Sequence, residues 1–171
     1  LLKPSPKSPQ AIRLHDMMSR WDGEMLRNQP EPLIFMSWLR NLAKRVYADE
    51  LGSMFSDYWG YRPVFMTNIL VGGRNYWCDN VKTDEKEDCD SQIVAALDDA
   101  LIELQELTSE IDPLTWRWGD YHYAHLSHNP FTHVSPLNSL FDVKIGNSGG
   151  NHTVNVLAQL LLLIYLQKPP V

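Results

Sequence analysis

The stretch from Trp116 to Asn155 limits the folds open to this chain more than any other part of it. It reads WRWGDYHYAHLSHNPF and, after a spacer, GNSGGNHTVN. Two tryptophans, five histidines, of which His122, His125, His128 and His133 are closely spaced, and a glycine pair fall in one polar-aromatic segment. That is a poor pattern for a generic helix or a coiled coil, whose apolar positions recur about every three to four residues. Within Trp116-Arg117-Trp118-Gly119 the indoles alternate with other residues, so an extended backbone there puts both rings on one side. Each ring buries a large area and needs one polar partner, which makes packing the simpler explanation of the pair.

Upstream, the pattern turns helical. From Ala11 the apolar positions Ile12, Leu14, Met17, Met18 and Trp21 predict a helix that ends at Asp22-Gly23. Glu31-Pro32 opens a second helix with the stripe Phe35, Met36, Leu39, Leu42, Ala43, Val46 and Tyr47. A third, capped by Asp90 or Ser91, carries Ile93, Val94, Ala96, Leu97, Ala100, Leu101, Leu104 and Leu107. Asp98, Asp99, Glu103 and Glu106 on its other side read as a solvated face. The runs 63–66 and 68–71 are strands or buried helix pieces, which periodicity does not separate.

The formal net charge of −6 and the absence of a basic run argue against nonspecific nucleic-acid binding, because a phosphate backbone rewards clustered Lys and Arg. The chain is long enough for one compact domain with a real core. Its start lacks a charged-then-apolar leader, so a mature, processed or truncated beginning is expected. The closing LAQLLLLIYLQKPPV has an apolar run well short of the ~20 residues a membrane span needs.

His122, His125, His128 and His133 invite a metal reading, since imidazole is the commonest ligand. Their spacing does not match H-E-x-x-H, no carboxylate recurs with them, and Asn129-Pro130 ends any helix after His128. A structural role without metal is expected, and His125 stays a candidate general base. Gly149 to Val156 reads as glycines that permit close approach, followed by a strand. Asn155 there either offers its amide to a site or satisfies a neighbouring backbone group. Cys78 and Cys89 flank a charged, turn-prone stretch, and spacing alone leaves a bond and two free thiols equally open.

As a set, these landmarks resemble the late β-subunit region of the penicillin acylase family. There a W-x-W-G-x-x-H-x-x-x-x-H element precedes a GG-x-x-TVN element; Trp116 to His122 and Gly149 to Asn155 match here, with Ser127 standing where the second histidine would fall. Trp21-Asp22-Gly23-Glu24-Met25, Pro32 with Trp38, and the Cys78/Cys89 pair fall in the family's order. The resemblance covers residues 11–156, with 1–10 as a connecting segment and 157–171 as an atypical apolar tail. It implies an α+β fragment: a helical layer plus strands of the αββα fold of N-terminal-nucleophile hydrolases. It also implies an amidohydrolase that cleaves a linear amide, a β-lactam side chain or an N-acyl amide, to a carboxylic acid and an amine.

Such enzymes use the α-amino group of a β-chain serine as base, with separate oxyanion donors. The resemblance places that serine, the oxyanion asparagine and their neighbours outside this chain, which is therefore expected to be inactive alone and to have no cofactor. Its partners would be the missing α-subunit and N-terminal β-subunit segments. Trp116, Trp118, His125 and Asn155 are the pocket candidates, the indoles as a wall for an aromatic acyl chain. The resemblance also implies a Cys78–Cys89 disulfide and a periplasmic or secreted setting. The alternative is a noncatalytic binding or assembly module derived from the acylase helical layer.

Overall fold

A computed structural model describes residues 6, 8–60, 62–73, 75–150 and 153. The chain divides into two compact units, Leu1–Trp21 with Ile34–Ile111, and Asp22–Leu33 with Asp112–Val171.

The first unit is helical. Helix α1 (Pro9–Arg20) starts where the Ser8 hydroxyl accepts from the Ala11 N–H at 3.1 Å and Pro9 fills the first turn. It therefore begins inside the expected connecting segment. Its buried side is Ala11, Leu14 and Met18. Helix α2 (Glu31–Leu51) buries Leu42, Ala43, Val46 and Tyr47 of the predicted stripe, but in its first half the buried side is Leu33, Ile34 and Trp38, with Phe35, Met36 and Leu39 only half-buried. After the short α3 (Phe55–Tyr58), residues 63–70 resolve as one helix, α4 (Pro63–Leu70), with proline in its first turn. Helix α5 (Cys89–Thr108) buries Ile93, Ala96, Leu97, Ala100, Leu101 and Leu104.

Two expectations for α5 are corrected. Its N-cap is Asp88, which accepts from the Ser91 N–H at 2.7 Å while the Ser91 hydroxyl accepts from the Asp88 N–H at 3.2 Å. This reciprocal box starts the helix at Cys89, two or three residues before the reading that capped it at Asp90 or Ser91. Nor is its acidic side simply solvated. Asp99 receives a two-pronged bond from Arg45 at 2.6 and 3.0 Å, and Glu103 pairs with Arg40 and accepts from Asn41 at 2.8 Å. Cations on α2 face these carboxylates, and the Trp38 indole donates to the Ile93 carbonyl at 3.1 Å. Cys78 and Cys89 are bonded, and Gln92 donates to the Cys78 carbonyl at 3.1 Å.

In the second unit, β1 (Tyr123–Leu126) and β2 (Val143–Gly146) pair antiparallel, Tyr123 opposite Gly146 and Leu126 opposite Val143, with α6 (Leu137–Phe141) between them in sequence. Helices with this small antiparallel sheet make an α+β arrangement. The strand expected after Gly149 and Gly150 falls, apart from Thr153, outside the described residues. Residues 151, 152 and 154–171, with Asn155 and the apolar tail, lie outside the described residues. Among the described residues, no helix is long and apolar enough to cross a membrane.

Candidate functional site

The second unit is built around the tryptophan motif. Asp112 accepts from the Leu114 N–H at 3.1 Å and starts a single 3-10 turn, Pro113–Thr115. The chain then runs extended through Trp116 and Arg117 before a second such turn, Trp118–Asp120. The extended stretch thus stops short of the second indole, because the Trp118 and Gly119 amides are drawn to the Gln29 and Arg27 carbonyls at 3.0 and 2.7 Å. Trp116 and Trp118 are both buried. The Trp118 indole N–H donates to the Gly149 carbonyl at 2.8 Å, and its ring stacks on His122 with centroids 4.7 Å apart and planes 9° apart. His122 is buried, with Nδ1 2.9 Å from the Asn147 carbonyl, and the Asn147 N–H returns a bond to the His122 carbonyl at 2.8 Å. The W-x-W-G-x-x-H element and the glycine pair are thereby fastened to each other and, through Gly149 and Met25, to residues 22–33.

Gly119 explains itself in this frame. A β-carbon there would lie 2.9 Å from the Arg27 β-carbon and 3.0 Å from the Arg27 carbonyl oxygen. A β-carbon on Gly146 would lie 2.7 Å from the Gly119 carbonyl oxygen. Only two bare backbones pass this close.

The remaining histidines disperse. His125, on β1, is exposed, with Nε2 3.4 Å from Asp142 Oδ2. Asp142 also accepts from the His128 N–H and the Thr132 hydroxyl, each at 2.8 Å. The His128 N–H bond, then the Thr132 hydroxyl, hold its carboxyl below the usual value. His128 stacks on Phe131, and His133 is exposed. Among the described residues, no group of three His, Cys, Asp or Glu side chains could hold a metal ion.

One concavity in this unit is a recess of about 620 Å³ lined by Arg27, Arg117, Asp120, Tyr121, Tyr123 and Lys144, together with Gly119 and Gly146. Burial, and then the Asp120 charge, push the Tyr121 hydroxyl pKa up. Of the sequence candidates, Trp116, Trp118 and His125 are not among its lining residues. The sequence reading did not group Arg27, Arg117 and Lys144, because they stand far apart in the chain and meet only through the Gly119–Gly146 contact. The glycine that closes WRWG was the one local signal of that contact.

The family model described as penicillin amidase matches residues 2–162. The chain belongs to the penicillin amidase family. Two curated relatives, each called acyl-homoserine lactone acylase QuiP, come from Pseudomonas syringae pv. tomato and Pseudomonas syringae pv. syringae. Each is 27% identical over 149 residues, which is 78% of this chain and 17% of the relative. This penicillin amidase family chain therefore spans about a sixth of the curated relatives it matches. No solved structure matches it significantly.

Proposed function

We propose that the chain is part of an acylase-type amidohydrolase, which adds water across a linear amide to give a carboxylic acid and an amine. The family match over residues 2–162 carries this reading. The relatives' name points to N-acyl homoserine lactones as one N-acyl amide to try, beside β-lactam side chains. No Ser, Thr or Cys lines the recess, and His125 is exposed and faces Asp142. As the family resemblance implies, we place the serine nucleophile, its amine base and the oxyanion donors in polypeptide outside these residues, in the α-subunit and the N-terminal part of the β-subunit. Bonded Cys78 and Cys89 support a periplasmic or secreted setting, where oxidised pairs persist.

Purified residues 1–171, assayed on phenylacetyl amides, fatty-acyl amides and N-acyl homoserine lactones, should give no turnover above background. The same chain expressed in continuity with its upstream coding sequence should hydrolyse at least one of them, and substitution of the serine that begins the β-chain should abolish the activity. Serine-dependent turnover by 1–171 alone would overturn the placement of the nucleophile. An inactive extended polypeptide would favour a binding or assembly module.

A further inference from the structure

We infer that the recess lined by Arg27, Arg117 and Lys144 is a docking site for an acidic segment of acylase polypeptide beyond residues 1–171. The inference rests on the family reading, but not on which amide is cleaved. Three cations and one carboxylate, Asp120, line the recess, a local surplus of positive charge in a chain whose net charge is −6. Arg40 pairs with Glu103, Arg45 with Asp99 and Arg20 with Asp16. Among the described residues, Arg27, Arg117 and Lys144 form no such pair, yet each is held in place. Arg27 donates to the Gly146 carbonyl at 3.2 Å, and Arg117 donates through Nη1 to the Leu114 and Trp116 carbonyls at 2.7 and 2.6 Å. Lys144 Nζ sits 5.0 Å from the centre of the Tyr123 ring.

A guanidinium carries five N–H donors in a planar fork, so these anchoring bonds leave donors of both arginines unused. A fork of that shape matches a carboxylate, and two forks with an ammonium match several carboxylates in a row. The Gly119–Gly146 contact fixes the backbone that carries them, so little ordering is needed on binding. All three cations are exposed, which makes the recess a shallow mouth. An enclosed small-ligand pocket buries ~70–90% of its occupant, and this one does not. Because the chain spans 17% of its curated relatives, most of a family polypeptide lies beyond it and supplies the neighbour.

The test is fluorescence anisotropy of the purified 171-residue chain with a labelled hexapeptide of alternating Glu and Gly, at about 50 mM salt, where exposed charges are weakly screened. The net charge of the chain repels this peptide, so saturable binding has to be local. We expect binding that weakens as salt rises, and on the order of tenfold weaker binding in Lys144→Gln and in Arg117→Gln, the worth of one charge-assisted bond. Lys144 makes no backbone bond, so its variant keeps the test valid if Arg117→Gln disturbs the turn; circular dichroism checks both. No saturable binding, or binding unchanged in Lys144→Gln, would overturn the inference. So would free glutarate competing as well as the peptide, which would identify a small dicarboxylate as the occupant. None of these outcomes bears on amide turnover, so the two readings fail separately.

Discussion

At Gly146, a methyl group would meet the Gly119 carbonyl oxygen at 2.7 Å, and backbone cannot step aside as a flexible side chain can. Gly146→Ala should therefore destabilise the protein by roughly 1–3 kcal/mol, the usual range for overpacking. Trp118→Ala removes a buried ring, its bond to the Gly149 carbonyl and the face on which His122 stacks. A loss of roughly 3–5 kcal/mol is expected, as for other large core truncations. Urea unfolding followed by circular dichroism measures both. If either substitution costs less than about 0.5 kcal/mol, the surface-like range, the contact it removes is not holding this unit together.

At the scale of elements, long periodic segments were legible and short tertiary ones were not. Helices α1, α2 and α5 announced themselves because their apolar stripes persist for several turns. Residues 63–71 are ambiguous because nine mostly apolar residues fit a helix or a strand; 63–70 form α4, which buries Met66 and Ile69. Strands β1 and β2 are four residues each and owe their state to one another, which no local pattern records. The acidic side of α5 looked solvated because the cations that meet it, Arg40 and Arg45, come from α2. The candidate site was legible only as a motif: spacing marked WRWG, while the recess depends on residues 27, 117, 119, 144 and 146 meeting in space.

Two predictions belong to α5. The Cys78–Cys89 bond closes a loop with a sequence separation of 11, so reducing it should cost about 3 kcal/mol through the entropy of the unfolded chain. Urea midpoints with and without reductant measure this, and coincident curves would rule it out. At its other end the helix stops at Ser109, whose φ of 58° is left-handed. Glycine occupies that conformation without a steric penalty, so Ser109→Gly should stabilise by several tenths to about 1 kcal/mol. A lower melting temperature would mean that the serine side chain holds the cap by other means.

For the whole molecule, stability should peak in mildly acidic solution, because shifted carboxyl groups pull in opposite directions. The Arg20 side chain lowers Asp16, the Ser91 N–H lowers Asp88, and the His128 N–H leads the lowering of Asp142, each below an ordinary value of 3.8. For a lowered acid the folded state prefers the charged form. Its contribution is complete above the ordinary value and is lost as pH falls through the folded-state value, so the acid limb lies below about pH 4. Glu50, at the end of α2, goes the other way. Burial, and then its hydrogen bond to Asp49, push it from 4.5 up to about 7. The unfolded chain gives up that proton first, so the contribution present at low pH fades as pH rises from about 4.5 to about 7, then stays level. Glu50 is exposed, so solvent screening makes this limb shallow. Urea midpoints measured from about pH 3 to 8 should be highest between about pH 4 and 5 and decline on both sides. Glu50→Gln should flatten the upper decline and leave the acid limb in place. If the unsubstituted protein instead gains stability steadily from pH 5 to 8, Glu50 does not retain its proton in the folded state, and the pairing at the end of α2 has to be redrawn.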